Sequence, residues 1–184
     1  MKISKKIKSL LDVYGQKGVK IDLGCGEFKT QGTIGIDKRN VKGVDIVHDL
    51  EMIPYPLPNE CASLLIASHV IQQIKPWLFV DVMNEWWRIL KIGGELMIST
   101  PYAGSFGFYQ DPANIKGFNE AWIAYFDPLE NIYSHGELYK VYRPKPWKIK
   151  IHTFNAERRE FMNTMGNLEV VLEKRREDSS YYKS

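Results

Sequence analysis

Two glycines and three carboxylates fall where a cofactor site could be built. In "KIDLGCG", Asp22 lies two residues ahead of a Gly24-Cys25-Gly26 turn that closes an apolar run. "TIGID" ends on Asp37, and "VDIVHDL" ends on Asp49 and Leu50. Glycines at the end of a strand let a ligand lie directly against the backbone. A carboxylate after the second strand can accept hydrogen bonds from ribose hydroxyls. A carboxylate after the third can accept from an exocyclic amine, with the Leu50 N–H available to a ring nitrogen. Asp22 adds negative charge near the glycine turn, which suits a ligand with a cationic end. The set points to a nucleoside that carries positive charge and no phosphate.

A pyrophosphate cofactor fits poorly. The dinucleotide fingerprint needs a third glycine and a helix whose N-terminus faces the phosphates. Here Glu27, Phe28 and Lys29 follow Gly26, and Glu27 would set negative charge against phosphate oxygens. The connection from Cys25 to Gly32 is eight residues, short for a parallel crossover with its helix. Eight extended residues cover about 26 Å, and returning along a five-residue strand takes roughly 17 Å. A bare loop can therefore make the crossing.

The elements that would position these residues are legible in the hydrophobic pattern. Ile3, Ile7, Leu10 and Leu11 recur at helical spacing, so residues 3–14 read as an amphipathic helix closed by Gly15. "GVKIDLG", "TIGID", "VDIVHDL" and "ASLLIASHV" read as strands, apolar nearly throughout, which suits a parallel sheet buried on both faces. "MIPYPLPNE" has three prolines in nine residues and reads as an extended surface loop. Pro76 opens a helix with a stripe at Leu78, Val82, Trp86, Ile89 and Leu90; "KIGG" stops it and "ELMIST" is strand five. "WKIKIHTF" and "NLEVVLEKR" read as strands six and seven, with "ERREFMNTM" between them as a short helix or turn.

One domain is expected over 1–184: an N-terminal helix in 1–18, a cofactor-binding core in 19–101, an irregular lid or substrate insertion in 102–146, final strands in 147–175 and a disordered tail in 176–184. Apolar residues make up 44% and charged residues 26%, a globular mix. Lys plus Arg exceeds Asp plus Glu by 25 − 22 = 3, which permits an anionic partner without demanding one. Cys25 and Cys61 form no CxxC pair, and His48, His69, His135 and His152 show no ligand spacing, so no metal site is expected. No run is long and apolar enough to span a bilayer, and "MKISKKIKSLL" lacks a secretion-signal core. The expected location is the cytoplasm.

The ordered set "IDLGCG", "IGIDKR", "VDIVHDL", "SLLIASHVIQQI" and "RILKIGGELMISTP" resembles the class I S-adenosylmethionine-dependent methyltransferases over residues 19–101. It is similar to a branch of that family whose first crossover is shortened. The resemblance implies an α/β fold: a Rossmann-like, doubly wound, mostly parallel seven-stranded sheet with helices on both faces, the first crossover helix reduced or absent. It implies S-adenosyl-L-methionine as cofactor and a transferase activity. Gly24, Cys25 and Gly26 would lie at the methionine end with Asp22 near its ammonium. Asp37 would bind the ribose with Lys38 beside it, Asp49 and Leu50 the adenine, and Ser68 and His69 would line the floor beside the reactive methyl. "QDPANIKGFNEAWIAYF" is similar to a family segment in which a histidine is common at the position of Asn114. By position, His69, Tyr102 and Asp111, then Asn114, are candidates to take a proton from the acceptor.

Each residue also has a plain structural use. The glycines could serve a tight turn, Asp37 or Asp49 could cap one, and His69 could be a packed histidine. Cys25 reads as a small filler, since Asp22 and Glu27 would raise its thiol pKa. No Asn/Asp-Pro-Pro-Tyr/Phe motif and no Pro-Cys follows strand four, which argues against amine or cytosine methylation in DNA. The expected acceptor is an O or N atom of a small-molecule or sugar-like substrate. The alternatives are a nucleic-acid methyltransferase, favoured by "YKVYRPKPWKIK", and a non-enzymatic S-adenosylmethionine-binding domain. Nothing in the pattern selects an oligomeric state.

Overall fold

A computed structural model describes residues 4–15, 18–130, 139, 142–159 and 162–182, with the backbone alone for 154–159 and 162–165. Seven strands form one sheet in the order β3-β2-β1-β4-β5-β7-β6. The first five are β1 (Val19–Leu23), β2 (Ile34–Asp37), β3 (Ile46–Val47), β4 (Ala62–Ser68) and β5 (Leu90–Pro101), all parallel. β7 (Met162–Lys174) runs antiparallel to β5 and to β6 (Trp147–Arg159). Ile21 sits centrally, opposite Ile34 on one side and Leu65 on the other. Ile21, Leu23, Ile34, Ile36 and Leu65 are fully buried, as continuous apolar runs in a covered parallel sheet require.

α1 (Lys5–Gly15) contacts β1 and buries Ile7. The expectation of a helix from residue 3 extends outside the described residues. α2 (Phe79–Ile89) buries Phe79, Val82, Met83, Trp86 and Ile89, an i, i+3, i+4, i+7 stripe. It starts three residues after Pro76, which lies in the turn leading to it. No helix lies between β1 and β2; residues 24–33 form a loop of turns.

Four expectations need correction. "KIGG" is not a stop before strand five but a bulge within β5: Ala62 pairs Leu90 and Leu64 pairs Glu95, so Lys91–Gly94 loop out. The proline-rich loop is not wholly at the surface, because Tyr55 and Leu57 are buried. "ERREFMNTM" is not helical where it is described. β6 and β7 continue their ladder past the sheet, with Glu157 opposite Met165 and Arg159 opposite Met162, because each strand satisfies the other's backbone; residues 160–161 lie outside the described residues. The tail forms a short 3-10 turn over Ser179–Tyr182, and Tyr182 stacks on Tyr139 with ring centroids 5.7 Å apart. The 102–146 insertion holds α3 (Phe106–Tyr109) and a 3-10 turn at Trp122–Phe126; residues 131–138 and 140–141 of it lie outside the described residues.

Candidate functional site

The helix-free crossover is held by carboxylates. Asp22, buried at the end of β1, accepts from Thr30 N–H at 2.7 Å. Asp45 accepts from Gly35 N–H at 2.8 Å and pairs with Lys29 at 2.7 Å. The loop lies so close to β2 that a Cβ on Gly35 would stand 2.6 Å from Lys29 Cδ and 2.7 Å from Cys25 Sγ. Asp22 thus serves the loop, and Cys25 turns toward β2. Burial, followed by the Asp22 and Asp37 carboxylates, pushes the Cys25 thiol up to about 11, which leaves it a filler and not a nucleophile.

The turn itself is left-handed at Gly24 (φ +67) and Gly26 (φ +53). Both Gly24 and Cys25 donate N–H to Ile36 O, at 2.7 and 3.2 Å. A Cβ on Gly24 would meet Val70 Cγ2 at 2.5 Å, and one on Gly26 would meet Arg39 Nη2 at 2.8 Å. Gly24 is held to glycine by both the conformation and the space, whereas at Gly26 the left-handed conformation alone favours glycine, because the exposed Arg39 side chain can move aside.

Asp37 closes β2 and reaches back to this turn. Its Oδ2 accepts from Gly26 N–H at 2.9 Å, and its Oδ1 accepts from Arg39 N–H at 2.8 Å and Arg39 Nε at 3.2 Å. Burial would raise its pKa, but the hydrogen bonds from Arg39 and Gly26 outweigh burial and hold the carboxyl below its ordinary value. Asp49 Oδ1 accepts from Glu51 N–H at 3.0 Å, so it does cap the next turn. Leu50 is buried, and its carbonyl accepts from Tyr55 Oη at 2.7 Å, while Trp86 Nε1 donates to Tyr55 Oη at 3.0 Å. α2 therefore fixes the segment after β3 through a buried chain of hydrogen bonds. Glu51 receives Lys75 twice, from N at 2.8 Å and Nζ at 2.6 Å, which ties this segment to the entry of α2.

A cleft of about 580 Å³ gathers these parts. Among the expected residues it is lined by Gly24, Asp37, Lys38, Asp49, Leu50 and His69. Asp22, Cys25, Gly26, Ser68, Tyr102 and Asp111 are not on its wall. Tyr102 Oη lies 3.1 Å from Glu120 Oε2, and burial, then Glu120, raises the phenol pKa. Asp111 is tied to the cleft wall: its Oδ2 accepts from Gln73 Nε2 at 3.3 Å, and Gln73 lines the cleft. Asn114 Nδ2 donates to Phe108 O at 2.8 Å and knits the loop after α3.

His69 directly follows β4 with φ +53, rare for a residue with a side chain, and is exposed at the cleft. Its Nε2 lies 3.2 Å from Asn167 Nδ2 on β7. Sequence reasoning missed Asn167, 98 residues away, along with Arg39, Glu51, Val70, Lys75 and Ile115 on the cleft wall. Arg39, Glu51, Val70 and Ile115 directly follow Lys38, Leu50, His69 and Asn114, and that adjacency is the signal the sequence carries for them. The cations of "YKVYRPKPWKIK" are partly neutralised: Lys145 pairs with Glu177 at 2.7 Å and Lys150 with Glu173 at 3.0 Å. Among the described residues no helix is long and apolar enough to cross a membrane.

Solved structures share this architecture. A SAM-dependent methyltransferase from Archaeoglobus fulgidus superposes with TM-score 0.55 at 16% identity, covering 91% of this chain and 93% of that one. This is the class I methyltransferase fold. A Burkholderia thailandensis 1,6-didemethyltoxoflavin-N1-methyltransferase, with bound 1,6-didemethyltoxoflavin and S-adenosylhomocysteine, shares it at TM-score 0.56 and 12% identity, covering 94% and 79%. So does a Haloferax volcanii putative methyltransferase in complex with the Trm112 methyltransferase activator, at TM-score 0.56 and 14% identity, covering 86% and 83%. No protein-family profile and no curated protein matches the sequence. In this methyltransferase fold the cleft lies outside the C-terminal ends of β1, β2 and β4, where open parallel sheets place ligands.

Proposed function

We propose that the protein is an S-adenosylmethionine-dependent methyltransferase acting on an O or N atom of a small molecule. The observation that carries this reading is the cleft itself, in which a left-handed glycine turn, Asp37, Asp49 and Leu50, and His69 converge from four strand ends. The residues fit an adenosine. Asp37 keeps acceptor capacity on Oδ2, since an ionised carboxylate has about four lone-pair sites and three hydrogen bonds are made. Asp49 and Leu50 line the same cleft, where the Asp49 carboxylate and the Leu50 N–H would take the base. Arg39, which lies over Gly26, offers a guanidinium to the carboxylate of the amino-acid end.

Bound there, S-adenosylmethionine supplies a methyl group on an already activated sulfonium, so the chain's part is alignment and exclusion of water. His69 takes the acceptor's proton if Nδ1 holds the lone pair. That requires Asn167 to present its oxygen to Nε2–H, an amide orientation equivalent in shape to the one with Nδ2 there. Asn167 then acts by setting the imidazole tautomer. The small-molecule reading is supported by the Burkholderia neighbour's acceptor and by the ion pairs that consume cations of the basic stretch.

The experiment is a thermal-shift comparison of S-adenosylhomocysteine, NADH and ATP. A ligand at 100 times its Kd adds about 2.7 kcal/mol of stability. We expect S-adenosylhomocysteine alone to raise Tm, by roughly 5–10 °C for a chain of this size. A larger rise with NADH would replace the reading with a dinucleotide enzyme.

A further inference from the structure

A second cavity, of about 380 Å³, opens beside the first turn of α2. Phe79, Trp122, Tyr125, Phe126 and Tyr142 line it, with Lys116 on the wall. The Phe79, Trp122 and Phe126 rings meet edge to face, with centroids 5.7, 5.9 and 6.0 Å apart. Lys116 Nζ stands 4.9 Å from the Phe79 centroid and 5.4 Å from that of Phe118. Among the described residues no carboxylate pairs with it, and burial lowers its pKa. Trp122 Nε1 is buried with no hydrogen-bond partner. A buried N–H without an acceptor is uncommon and asks for an explanation.

We propose that this cavity binds a small aromatic carboxylate. Its aromatic faces favour a planar apolar body. The polar groups of this wall, the Lys116 ammonium and the Trp122 indole N–H, are both donors, so the polar end of the ligand must be an acceptor. A neutral acceptor would leave the ammonium without a counter-charge, and a dianion would leave a charge unpaired, since Lys116 is the one cation among the described residues of the wall; a carboxylate balances it. The volume lies within the range of small-molecule sites. The cavity is separate from the cofactor cleft. Ile115 and Lys75 line the cleft, whereas Lys116 and Pro76 line the cavity, and Gln72 O holds both the Ile115 and the Lys116 N–H, at 2.9 and 3.0 Å. The two sites stand back to back across this ridge, and the assignment does not rest on the methyltransferase reading.

The test is calorimetric titration of the full chain with naphthoate and with its neutral isostere naphthamide. Naphthoate should bind saturably, and naphthamide and the Lys116→Met variant should each weaken binding by about tenfold or more, as loss of a charged hydrogen bond implies. Trp122→Phe keeps an aromatic wall and should weaken naphthoate binding severalfold, which keeps the test decisive if Lys116→Met does not fold. Equal binding of the amide, or an unchanged affinity in either folded variant, would mean that Lys116 and Trp122 serve packing alone and would overturn the proposal. So would absence of saturable heat, or displacement of naphthoate by S-adenosylhomocysteine. The amide and variant comparisons stand whether or not S-adenosylhomocysteine binds.

Discussion

Asp37 already accepts three hydrogen bonds from its own chain, two of them from Arg39. The Arg39 side chain is 59% exposed, so its ion pair holds it only weakly and it can swing toward a ligand. The glycine turn and its two acids were readable because backbone approach and hydroxyl recognition restrict the residue types allowed. The partner of His69 was not, since Asn167 arrives from β7 by a pairing that no local pattern encodes. Once an acceptor is known, His69→Ala should cut kcat by about 100-fold or more if proton removal limits attack, with the S-adenosylhomocysteine Kd unchanged. Asn167→Asp should move the pH–rate profile upward, because a carboxylate beside Nε2 favours the imidazolium. An unshifted profile and unchanged kcat would remove both residues from the chemistry. Cys25 supplies a pH test of the turn. Its thiol rises from 9.0 to about 11, and the thiolate is the form disfavoured by folding. At pH 8, alkylation in the native state should therefore run about 100-fold slower than in the unfolded chain and climb with pH toward 11. Equal rates would show that the thiol is not enclosed between the turn and β2.

The crossover from β1 to β2 replaces a helix with a loop pinned by Asp22 and Asp45 and admitted by the bare Cα of Gly35. Residue count alone implied that such a loop could span the return; which carboxylates hold it did not follow from count. Asp22, expected beside the cofactor's ammonium, is buried and bonded to Thr30. Asp22→Asn should lower stability by about 1–2 kcal/mol through loss of a charge-assisted hydrogen bond, seen as an earlier denaturant midpoint, and leave S-adenosylhomocysteine affinity within about twofold. A large loss of affinity at unchanged stability would return Asp22 to the ligand. The stripe of α2 was legible for the same reason it is stable: its period is local, and Trp86 and Ile89 fall on it. The proline-rich loop misled because composition marks a turn-rich segment without revealing that Tyr55 bonds Leu50 and Trp86 in the core.

Across the molecule, the parallel part of the sheet is visible as apolar runs and strands six and seven are legible too, whereas the extension of the β6–β7 ladder past the sheet is hidden behind the charged residues of "ERREFMNTM". Burial on both faces writes itself into composition; a ladder that projects past the sheet does not. β7 is also tied to the start of β5 through Lys174, whose Nζ donates to Leu90 O at 2.8 Å and stands 3.9 Å from the Trp87 ring centroid. All of this places four strand ends around one cleft, and the central claim is that the cleft holds the cofactor. Calorimetric titration of S-adenosylhomocysteine into the intact chain and into Asp49→Ala addresses it most directly. The expected result is saturable binding at one site, weakened about tenfold in the variant. No heat with either protein, or the same affinity in both, would contradict it.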